Sequence, residues 1–410
     1  MARSPRQRKA RGASRVGERF TVTVGRIAHG GHVVARLPAP ESRVVFVRHA
    51  LPGERVEIVL TEGTDGDRFW RADAVAVLQP SPDRVEAPCP SAGPGRCGGC
   101  DFQHVALPAQ RVLKADVVRE QLVRLGGVHP DDPLLVGLTV EPVPGDEAGL
   151  RWRTRVAYAA TPDGGKGMRR HRSHEVLPVA DCLIAAPDAV ERVSGDAGSG
   201  VVEPDVVAGP AGAAPVVEHV RLGDEEREFA VAGDGFWQVH PGAPATLVRT
   251  VLDLLGPRPG ERALDLYSGV GLFSSFLATR VGERGRVVAV EGDRTACRHA
   301  RDNLASFRQA QVEHGRVDRV LASSYDEPFD LVVLDPPRDG ARRTVVEQVV
   351  AREPRAVAYV ACDPASLARD VATFAESGYS LAALRAFDLF PMTHHVECVA
   401  LLTKSGSDLR

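Results

Sequence analysis

Two side chains that could act as nucleophile or base stand at the edges of short apolar runs in the C-terminal half of the chain. In YVACDPASLARD, Cys362 follows the run 357–361 and precedes a segment typical of a helix. Because a helix dipole favours a thiolate at its N-terminus, we expect the pKa of Cys362 to be lowered, as a nucleophile requires. Taken alone, however, a cysteine at a strand end is more often a small buried hydrophobic residue.

The second side chain is Glu397, in the segment FPMTHHVECVALL. A carboxylate flanked by apolar residues is costly to bury in its charged form, so we expect a raised pKa, as suits a general base. The alternative is a solvent-facing Glu on an edge strand.

A glycine-containing turn earlier in this half predicts a ligand site. In LDLYSGVGLF, Gly269 and Gly271 follow an apolar run and precede a helical pattern, so backbone N–H groups can approach a ligand closely. A dinucleotide fingerprint would need a third glycine where Ser274 stands, which favours S-adenosylmethionine (SAM) or a nucleotide over NAD. Glu291 closes the next apolar run and could accept hydrogen bonds from ribose hydroxyls. The alternative is an ordinary strand–turn–helix with a surface Glu.

The elements that must position these residues are short apolar strands alternating with helices. Helical patterns at 272–279 and 345–350 separate strands that read as buried on both faces, at 263–266, 287–290, 331–334 and 357–361. This alternation predicts a doubly wound α/β sheet, which binds ligands at the carboxyl ends of its strands. Asp335 of DPPR would therefore lie at the same edge as Cys362, which favours a catalytic role for the cysteine.

The N-terminal part differs in pattern. Alternating residues from Phe20 and short runs punctuated by Gly and Pro predict a compact β-barrel that ends near residue 80, followed by a helix over about 107–125. We therefore expect a barrel over 16–80, a central α+β domain over 81–234 and an α/β domain over 235–405.

Clustered cysteines predict a metal centre in the central part. Three thiols lie close together in sequence and a fourth follows in DCLI; they are Cys89, Cys97, Cys100 and Cys182. Such a set can hold a structural zinc ion or an iron–sulfur cluster, and spacing does not choose between them. A site with both cysteine and histidine ligands, with His104 as the histidine, is a further alternative.

Length and charge set further bounds. The chain has 410 residues, seven cysteines and a formal net charge of -3, which predicts two or three domains and no overall electrostatic preference for nucleic acid. No run approaches the roughly 18 apolar residues of a membrane span, so we expect a cytoplasmic protein with reduced thiols and no membrane partner.

Local charge is more informative. Segment 1–15 is basic without an acidic residue, which is typical of a solvated tail or of loose phosphate attraction. Between 151 and 176 basic side chains outnumber acidic ones, with Trp152 and Tyr158 interleaved; they are Arg151, Arg153, Arg155, Lys166, Arg169, Arg170 and Arg172. This cluster is either a solvated surface or a site for RNA or phosphate.

Over about residues 16–404 the sequence resembles the bacterial RNA uracil-5-methyltransferase family. It is most similar to the branch that carries an N-terminal TRAM domain, an OB-like RNA-binding fold, and a four-iron four-sulfur cluster. The four cysteines named above match the cluster ligands, and RRHRSHEVLPVADC at 169–182 resembles the central domain.

The resemblance implies a class I (Rossmann-like) SAM-dependent methyltransferase domain. It implies that Cys362 is the nucleophile, that Glu397 is the proton acceptor, and that SAM is bound by Gln238, Tyr267, Gly269, Gly271, Glu291 and Asp335. His240 and Leu272 depart from the family, since many members carry Asn there. RNA is the implied partner, with ribosomal RNA favoured and transfer RNA possible, and a monomer would suffice.

Two rival functions stay open. An amino-group methyltransferase of the same fold would use the DPPR loop to hold an exocyclic amine and would need no cysteine. A metal-stabilised RNA-binding factor with an inactive methyltransferase domain is the alternative from another class, supported only by His240 and Leu272.

Overall fold

The computed structural model describes residues 12–194 and 214–406. Residues 1–11 of the predicted basic segment 1–15 and most of the Gly/Ala/Pro/Val-rich stretch near 193–215 lie outside the described residues; Arg15 is described and forms ion pairs with Glu18, Glu41 and Asp65. No helix in the described ranges has both the length and the apolarity needed to cross a membrane.

The N-terminal part forms a six-stranded sheet with strand order β1-β5-β6-β4-β3-β2. Its strands are β1 (Arg19–Thr23), β2 (Ile27–Ala28), β3 (His32–Arg36), β4 (Val44–Arg48), β5 (Arg55–Glu62) and β6 (Phe69–Gln79). The alternation of apolar and polar residues buries one face of each strand, and these side chains form a core of their own around Trp70. β1 also contacts β3, so the sheet curls on itself as the predicted barrel requires.

The central part is built from small elements. Along the chain they are α1 (Leu107–Arg124), α2 (Pro133–Val136), β7 (Val140–Pro142), β8 (Arg153–Ala160), β9 (Lys166–Arg169), β10 (Val176–Pro178), β11 (Ala185–Ser194), β12 (Val216–Leu222) and β13 (Glu225–Val231). Strands β8–β11 form a four-stranded sheet, and β12 pairs with β13. Helix α1 ends before Gly126 and Gly127, as the sequence predicts.

The C-terminal part contains an eight-stranded sheet with strand order β16-β15-β14-β17-β18-β20-β19-β7. Its own strands are β14 (Arg262–Leu266), β15 (Arg286–Glu291), β16 (Ala310–His314), β17 (Leu331–Leu334), β18 (Ala356–Ala361), β19 (Tyr379–Asp388) and β20 (Glu397–Lys404). The helices are α3 (Ala243–Leu255), α4 (Leu272–Val281), α5 (Arg294–Asn303), α6 (Val317–Ser323), α7 (Arg342–Val350) and α8 (Pro364–Glu376).

This is the doubly wound α/β architecture that the alternating pattern predicts. Strands β14 to β18 run parallel, whereas β20 is antiparallel to both of its neighbours. Chain order reverses between β14 and β17, which places a crevice at their carboxyl ends.

One strand of the large sheet comes from outside the expected C-terminal domain. Strand β7, which we assigned to the central domain, pairs in parallel with β19 at the edge of the large sheet. Helix α1 packs against α8. The segment between the barrel and β8 therefore contributes to the C-terminal core, while Phe102, Val105, Leu113 and Val117 of the same segment pack into the barrel core.

Candidate active site

A cavity of about 920 Å³ opens at the carboxyl ends of the parallel strands. It brings together residues that the sequence predicted, namely Gln238, Tyr267, Gly269, Glu291, Asp335, Cys362 and Glu397. Its volume lies within the range of pockets that enclose small ligands. Gly271 does not line the cavity: it caps the N-terminus of α4 with φ +89°, where a Cβ would lie 3.2 Å from Leu304.

Backbone donors fix the carboxylate at the end of β15. Glu291 accepts hydrogen bonds from the N–H of Gly269 at 2.9 Å and from the N–H of Asp293 at 2.7 Å. Tyr267 and Gly269 both have positive φ, at 65° and 54°, which turns the chain sharply at the end of β14. The loop and Glu291 therefore form one preorganised edge of the cavity.

Two further carboxyl groups stand beside this edge. Asp265 is buried and accepts from the N–H and Oγ of Ser274 at 2.9 and 2.5 Å, while burial raises the pKa of Asp265 to about 6. Burial, with the nearby carboxylates of Asp265 and Glu291, raises the pKa of Asp335 to about 7. Of the two, Asp335 lines the cavity, and a bound cation such as a sulfonium would favour its charged form.

Cys362 stands at the end of β18, directly before α8, as predicted. The expectation of a lowered pKa is wrong for the protein without ligands. Burial raises the pKa of the thiol, and the carboxylates of Glu397 and Asp335 raise it further, whereas Arg338 acts in the opposite direction. These effects outweigh the helix dipole.

Glu397 is the first residue of β20 and is 3% exposed, so it is not the solvent-facing Glu of the alternative interpretation. Burial holds the pKa of Glu397 well above its usual range; Asp335 adds to the shift and Arg338 opposes it. The raised pKa agrees with the expectation for a base in an apolar setting.

Three cavity residues were missed by the sequence reasoning. Arg338 follows Asp335 within the DPPR string, and its Nη2 lies 3.3 Å from Nε2 of His395. Phe236 lines the cavity and is 57% exposed. The sequence could have pointed to two of these residues by their proximity to predicted site residues: Phe236 stands two residues before Gln238, and His395 stands two residues before Glu397.

The two departures from the family pattern have different surroundings. His240 is fully buried outside the cavity, where its ring stacks on Trp152 at 5.9 Å and its Nδ1 accepts from the N–H of Gly242. Leu272 lines the cavity and begins α4. His240 is therefore a packing residue, and only Leu272 bears directly on a ligand.

The predicted metal ligands come near one another although Cys182 is distant in sequence. Burial raises the pKa of Cys97 to about 11, and the thiolates of Cys182 and Cys89 raise it further. Cys97 and Cys182 likewise raise the pKa of Cys100, after burial. Gly99 donates its N–H to Cys97 Sγ at 3.4 Å. Yet in the described ranges no three His, Cys, Asp or Glu side chains are grouped closely enough to hold a metal ion, so neither the zinc ion nor the iron–sulfur cluster is shown.

The basic cluster between 151 and 176 is mostly engaged within the protein. Arg153 and Arg155 are buried, at 8% and 1% exposure, so they cannot present charge to RNA. Arg155 also forms an ion pair with Glu218. Four other members form ion pairs, namely Arg151–Asp181, Lys166–Glu191, Arg170–Glu175 and Arg172–Glu62. Much of this charge therefore stabilises contacts inside the chain.

Comparisons with known proteins find similarity to RNA methyltransferases over most of the chain. A family model described as tRNA (Uracil-5-)-methyltransferase matches residues 214–405, and a TRAM domain model matches residues 13–75. The chain is 48% identical to an RNA methyltransferase of Streptomyces avermitilis, described as uncharacterized, over 96% of this chain and 100% of that one. It is 31% identical to the 23S rRNA (uracil(1939)-C(5))-methyltransferase of Alkalilimnicola ehrlichii, over 95% and 98%.

The fold has a counterpart among solved structures. The tRNA (uracil-54, C5)-methyltransferase of Pyrococcus abyssi, in complex with S-adenosyl-L-homocysteine, superposes with a TM-score of 0.66 at 23% identity. The match covers 93% of this chain and 99% of that one. With its N-terminal TRAM domain and its C-terminal α/β domain, the chain belongs to the RNA (uracil-5-)-methyltransferase family.

Proposed function

We propose that this protein transfers the methyl group of SAM to carbon 5 of a uridine in RNA, through a transient bond between Cys362 Sγ and carbon 6 of the base. The observation that carries the proposal is the shared cavity. It joins a thiol, a buried carboxyl group and a glycine-containing loop with a fixed Glu291 at one sheet edge.

The cofactor would be held along the β14 and β15 strand ends. The backbone near Gly269 can approach it closely, and Glu291 is held where its carboxylate can accept from ribose hydroxyls. The acidic groups of the cleft offset a positive charge. Bound SAM supplies an electrophilic methyl group, which Gln238, Tyr267 and Asp335 would help to orient.

Carbon 5 of uracil is a poor nucleophile until carbon 6 is saturated. Addition of the Cys362 thiolate to carbon 6 converts the 5,6 double bond into an enolate, whose carbon 5 would take the methyl group as its bond to the sulfonium sulfur breaks and leaves S-adenosylhomocysteine. Glu397 then removes the carbon-5 proton. The electrons of that C–H bond restore the double bond, and the C6–S bond breaks to release the Cys362 thiolate.

The raised pKa of Glu397 suits its part in these steps, whereas the raised pKa of Cys362 opposes formation of the thiolate. A buried Glu397 binds the carbon-5 proton more strongly than an exposed glutamate would. Arg338 lowers the pKa of both Cys362 and Glu397, so a cation beside the two groups favours their reactive forms.

The target base must leave its stack to reach Cys362, because the thiol lies inside the cavity. Phe236 exposes an aromatic ring along the cavity, where it can stack on the extruded base or on a neighbour. Ribosomal RNA is the substrate we propose, on the strength of the 23S rRNA-modifying relatives.

We also propose that Cys89, Cys97, Cys100 and Cys182 hold a four-iron four-sulfur cluster. The donor set is suitable, because the four side chains are thiols and those of Cys97, Cys100 and Cys182 lie near enough to influence one another's pKa. Gly99 and Gln103 donate to two of these sulfurs, at 3.4 and 3.5 Å. The cluster would stabilise the loop, because the methylation steps above transfer no electrons.

The function is tested with purified protein, methyl-labelled SAM, and 23S rRNA or transfer RNA transcripts. We expect 5-methyluridine at one position of the ribosomal transcript, identified by nuclease mapping and mass spectrometry, and none with Cys362→Ala. Methyl transfer retained by Cys362→Ala would support the amino-group methyltransferase, and absence of SAM binding by calorimetry would support the inactive RNA-binding factor. Methylation of transfer RNA alone would reassign the substrate.

A further inference from the structure

Asp101 is an acidic side chain between the barrel and the C-terminal domain. Its Oδ1 accepts a hydrogen bond from Nη2 of Arg48, at the end of β4, at 3.0 Å. The two side chains are 10% and 5% exposed, so the ion pair is largely shielded from water. A shielded charge-assisted pair fixes geometry better than a surface one does.

The other oxygen of Asp101 holds the loop between β19 and β20. Oδ2 lies 2.5 Å from Nδ1 of His394 and accepts from the His394 N–H at 3.3 Å. The N–H groups of Asp101 and Phe102 both donate to the carbonyl of Met392, which has a positive φ of 66°. A residue other than glycine adopts this backbone conformation only when surrounding contacts impose it. The hydrogen bond from the Asp101 N–H to Met392 is one of those contacts.

The barrel also touches this loop directly. Gly31, between β2 and β3, lies so close that an added Cβ would stand 2.8 Å from His394 Cβ and 3.3 Å from Asp101 Cβ. Backbone of the barrel is thus in contact with the Asp101–His394 pair. The loop is held from two sides, by Arg48 through Asp101 and by the turn at Gly31.

The loop continues into the active site. The rings of His394 and His395 lie 4.0 Å apart, and His395 Nε2 lies 3.3 Å from the Arg338 guanidinium. Burial holds the pKa of His395 well below its usual range, so His395 is neutral and can accept from Arg338. Arg338 shares the cavity with Cys362 and Glu397.

We propose that Arg48 and Asp101 are positioning residues of the active site: by holding His394 and His395, they keep the Arg338 guanidinium beside Cys362. The barrel then serves catalysis as well as RNA binding. The inference deepens the proposed function, since it rests on Cys362 as the nucleophile. Neither residue lines the cavity, so both act through the loop.

The charges around Cys362 give the direction of the effect. Glu397 from β20, Asp335 from the loop after β17 and Asp363 at the start of α8 all disfavour the thiolate; Arg338 favours it. If Arg338 is displaced, three carboxyl groups are left without the opposing cation. The thiolate fraction of Cys362 should then fall.

The experiment measures the rate at which iodoacetamide alkylates Cys362 in the full-length protein, between pH 7 and pH 10, by peptide mass spectrometry. It needs neither SAM nor RNA. Variants are Arg48→Met, Asp101→Asn and Arg338→Met, with Arg48→Lys as the conservative replacement. The matched control is Arg19→Met, which removes an exposed arginine from the same barrel. Cys297 and Cys398 are buried and report unfolding if they become labelled.

We expect Arg48→Met, Asp101→Asn and Arg338→Met each to slow alkylation at pH 8 by about tenfold, which corresponds to a rise of about one unit in the pKa of the Cys362 thiol. Arg48→Lys should retain most of the wild-type rate, and Arg19→Met should not change it. The double variant Arg48→Met/Arg338→Met should be no slower than either single variant, because both changes act on the same guanidinium. Wild-type rates in Arg48→Met and Asp101→Asn, or effects that add to that of Arg338→Met, would overturn the proposal. A slowed rate in a protein that makes no 5-methyluridine would refute the proposed function and, with it, a catalytic role for this contact, while the coupling of Arg48 and Asp101 to Arg338 would remain.

Discussion

His29 of the barrel lies 2.9 Å from Asp363, the residue that follows Cys362 in the chain. The same aspartate caps helix α8, since its Oδ1 accepts from the N–H of Ser366 at 2.7 Å. The barrel therefore contacts the C-terminal domain at the nucleophile as well as at the loop before Glu397. The domain that is expected to bind RNA therefore also packs against Asp363, next to Cys362, and against His394, in the loop before Glu397.

The first prediction separates the two roles of Asp363. Asp363→Ala should lower the free energy of unfolding by about 1 kcal/mol, because α8 loses its N-cap. Asp363→Asn should cost less, because Asn caps a helix nearly as well, although the contact of the carboxylate with His29 is lost. Urea unfolding of the two variants and of His29→Ala measures the difference. If Asn proves as destabilising as Ala, the contact with His29 rather than the cap holds this junction.

A second prediction concerns Glu397. Glu397→Gln should leave addition of Cys362 and methyl transfer possible but should block removal of the carbon-5 proton, so turnover should fall by roughly 10²–10⁴-fold. A covalent protein–RNA complex should accumulate and appear as a slowly migrating band in denaturing gels. Cys362→Ala in the same assay should give no band, and an equal loss of band and turnover in Glu397→Gln would assign Glu397 an earlier role.

A third prediction concerns pH. The pKa of Asp335 is raised by burial to about 7 in the folded protein, against an ordinary value of about 3.9 when unfolded. The stability that the protonated group contributes is therefore fully present below about pH 4 and is lost as the pH rises through about 7. Asp335→Asn should flatten the fall in melting temperature over this window in the protein without SAM. The exposed Asp302→Asn is the control, and an unchanged slope in Asp335→Asn would argue against the buried acid.

A fourth prediction tests the contact of the barrel turn. Gly30 and Gly31 both have positive φ, at 88° and 74°, so alanine at either position should cost about 1 kcal/mol in backbone strain. Only Gly31→Ala adds a clash with His394, which should cost about 1–3 kcal/mol more. Chemical unfolding compares the two variants directly. Equal destabilisation would mean that the turn is not pressed against the loop.

Much of the site could be predicted because the carboxyl ends of parallel strands meet at one edge. Asp335 and Cys362 each follow a buried apolar run, so local patterns alone place both residues in the same cleft. The burial of Glu397 was predictable for a different reason, since the residues that follow it in β20 are apolar.

The contacts that organise the site could not be predicted from local patterns. Asp101 and His394 are 293 residues apart, and His29 and Asp363 are 334 apart, so no periodicity relates them. The pKa of Cys362 was misjudged because the helix dipole is visible in the sequence, whereas the facing carboxylate of Glu397 is not. Likewise, composition shows the charge density of 151–176 but not that Arg155 finds Glu218 in another sheet.

The central claim, a bond between Cys362 and carbon 6 of uracil, is tested most directly with RNA that contains 5-fluorouridine. Fluorine at carbon 5 cannot be removed as a proton, so the adduct should stall after methyl transfer. We predict a SAM-dependent, one-to-one protein–RNA complex whose modified peptide carries the nucleotide on Cys362. An enzyme that methylates ordinary RNA yet forms no such complex, or one linked through another residue, would contradict the account.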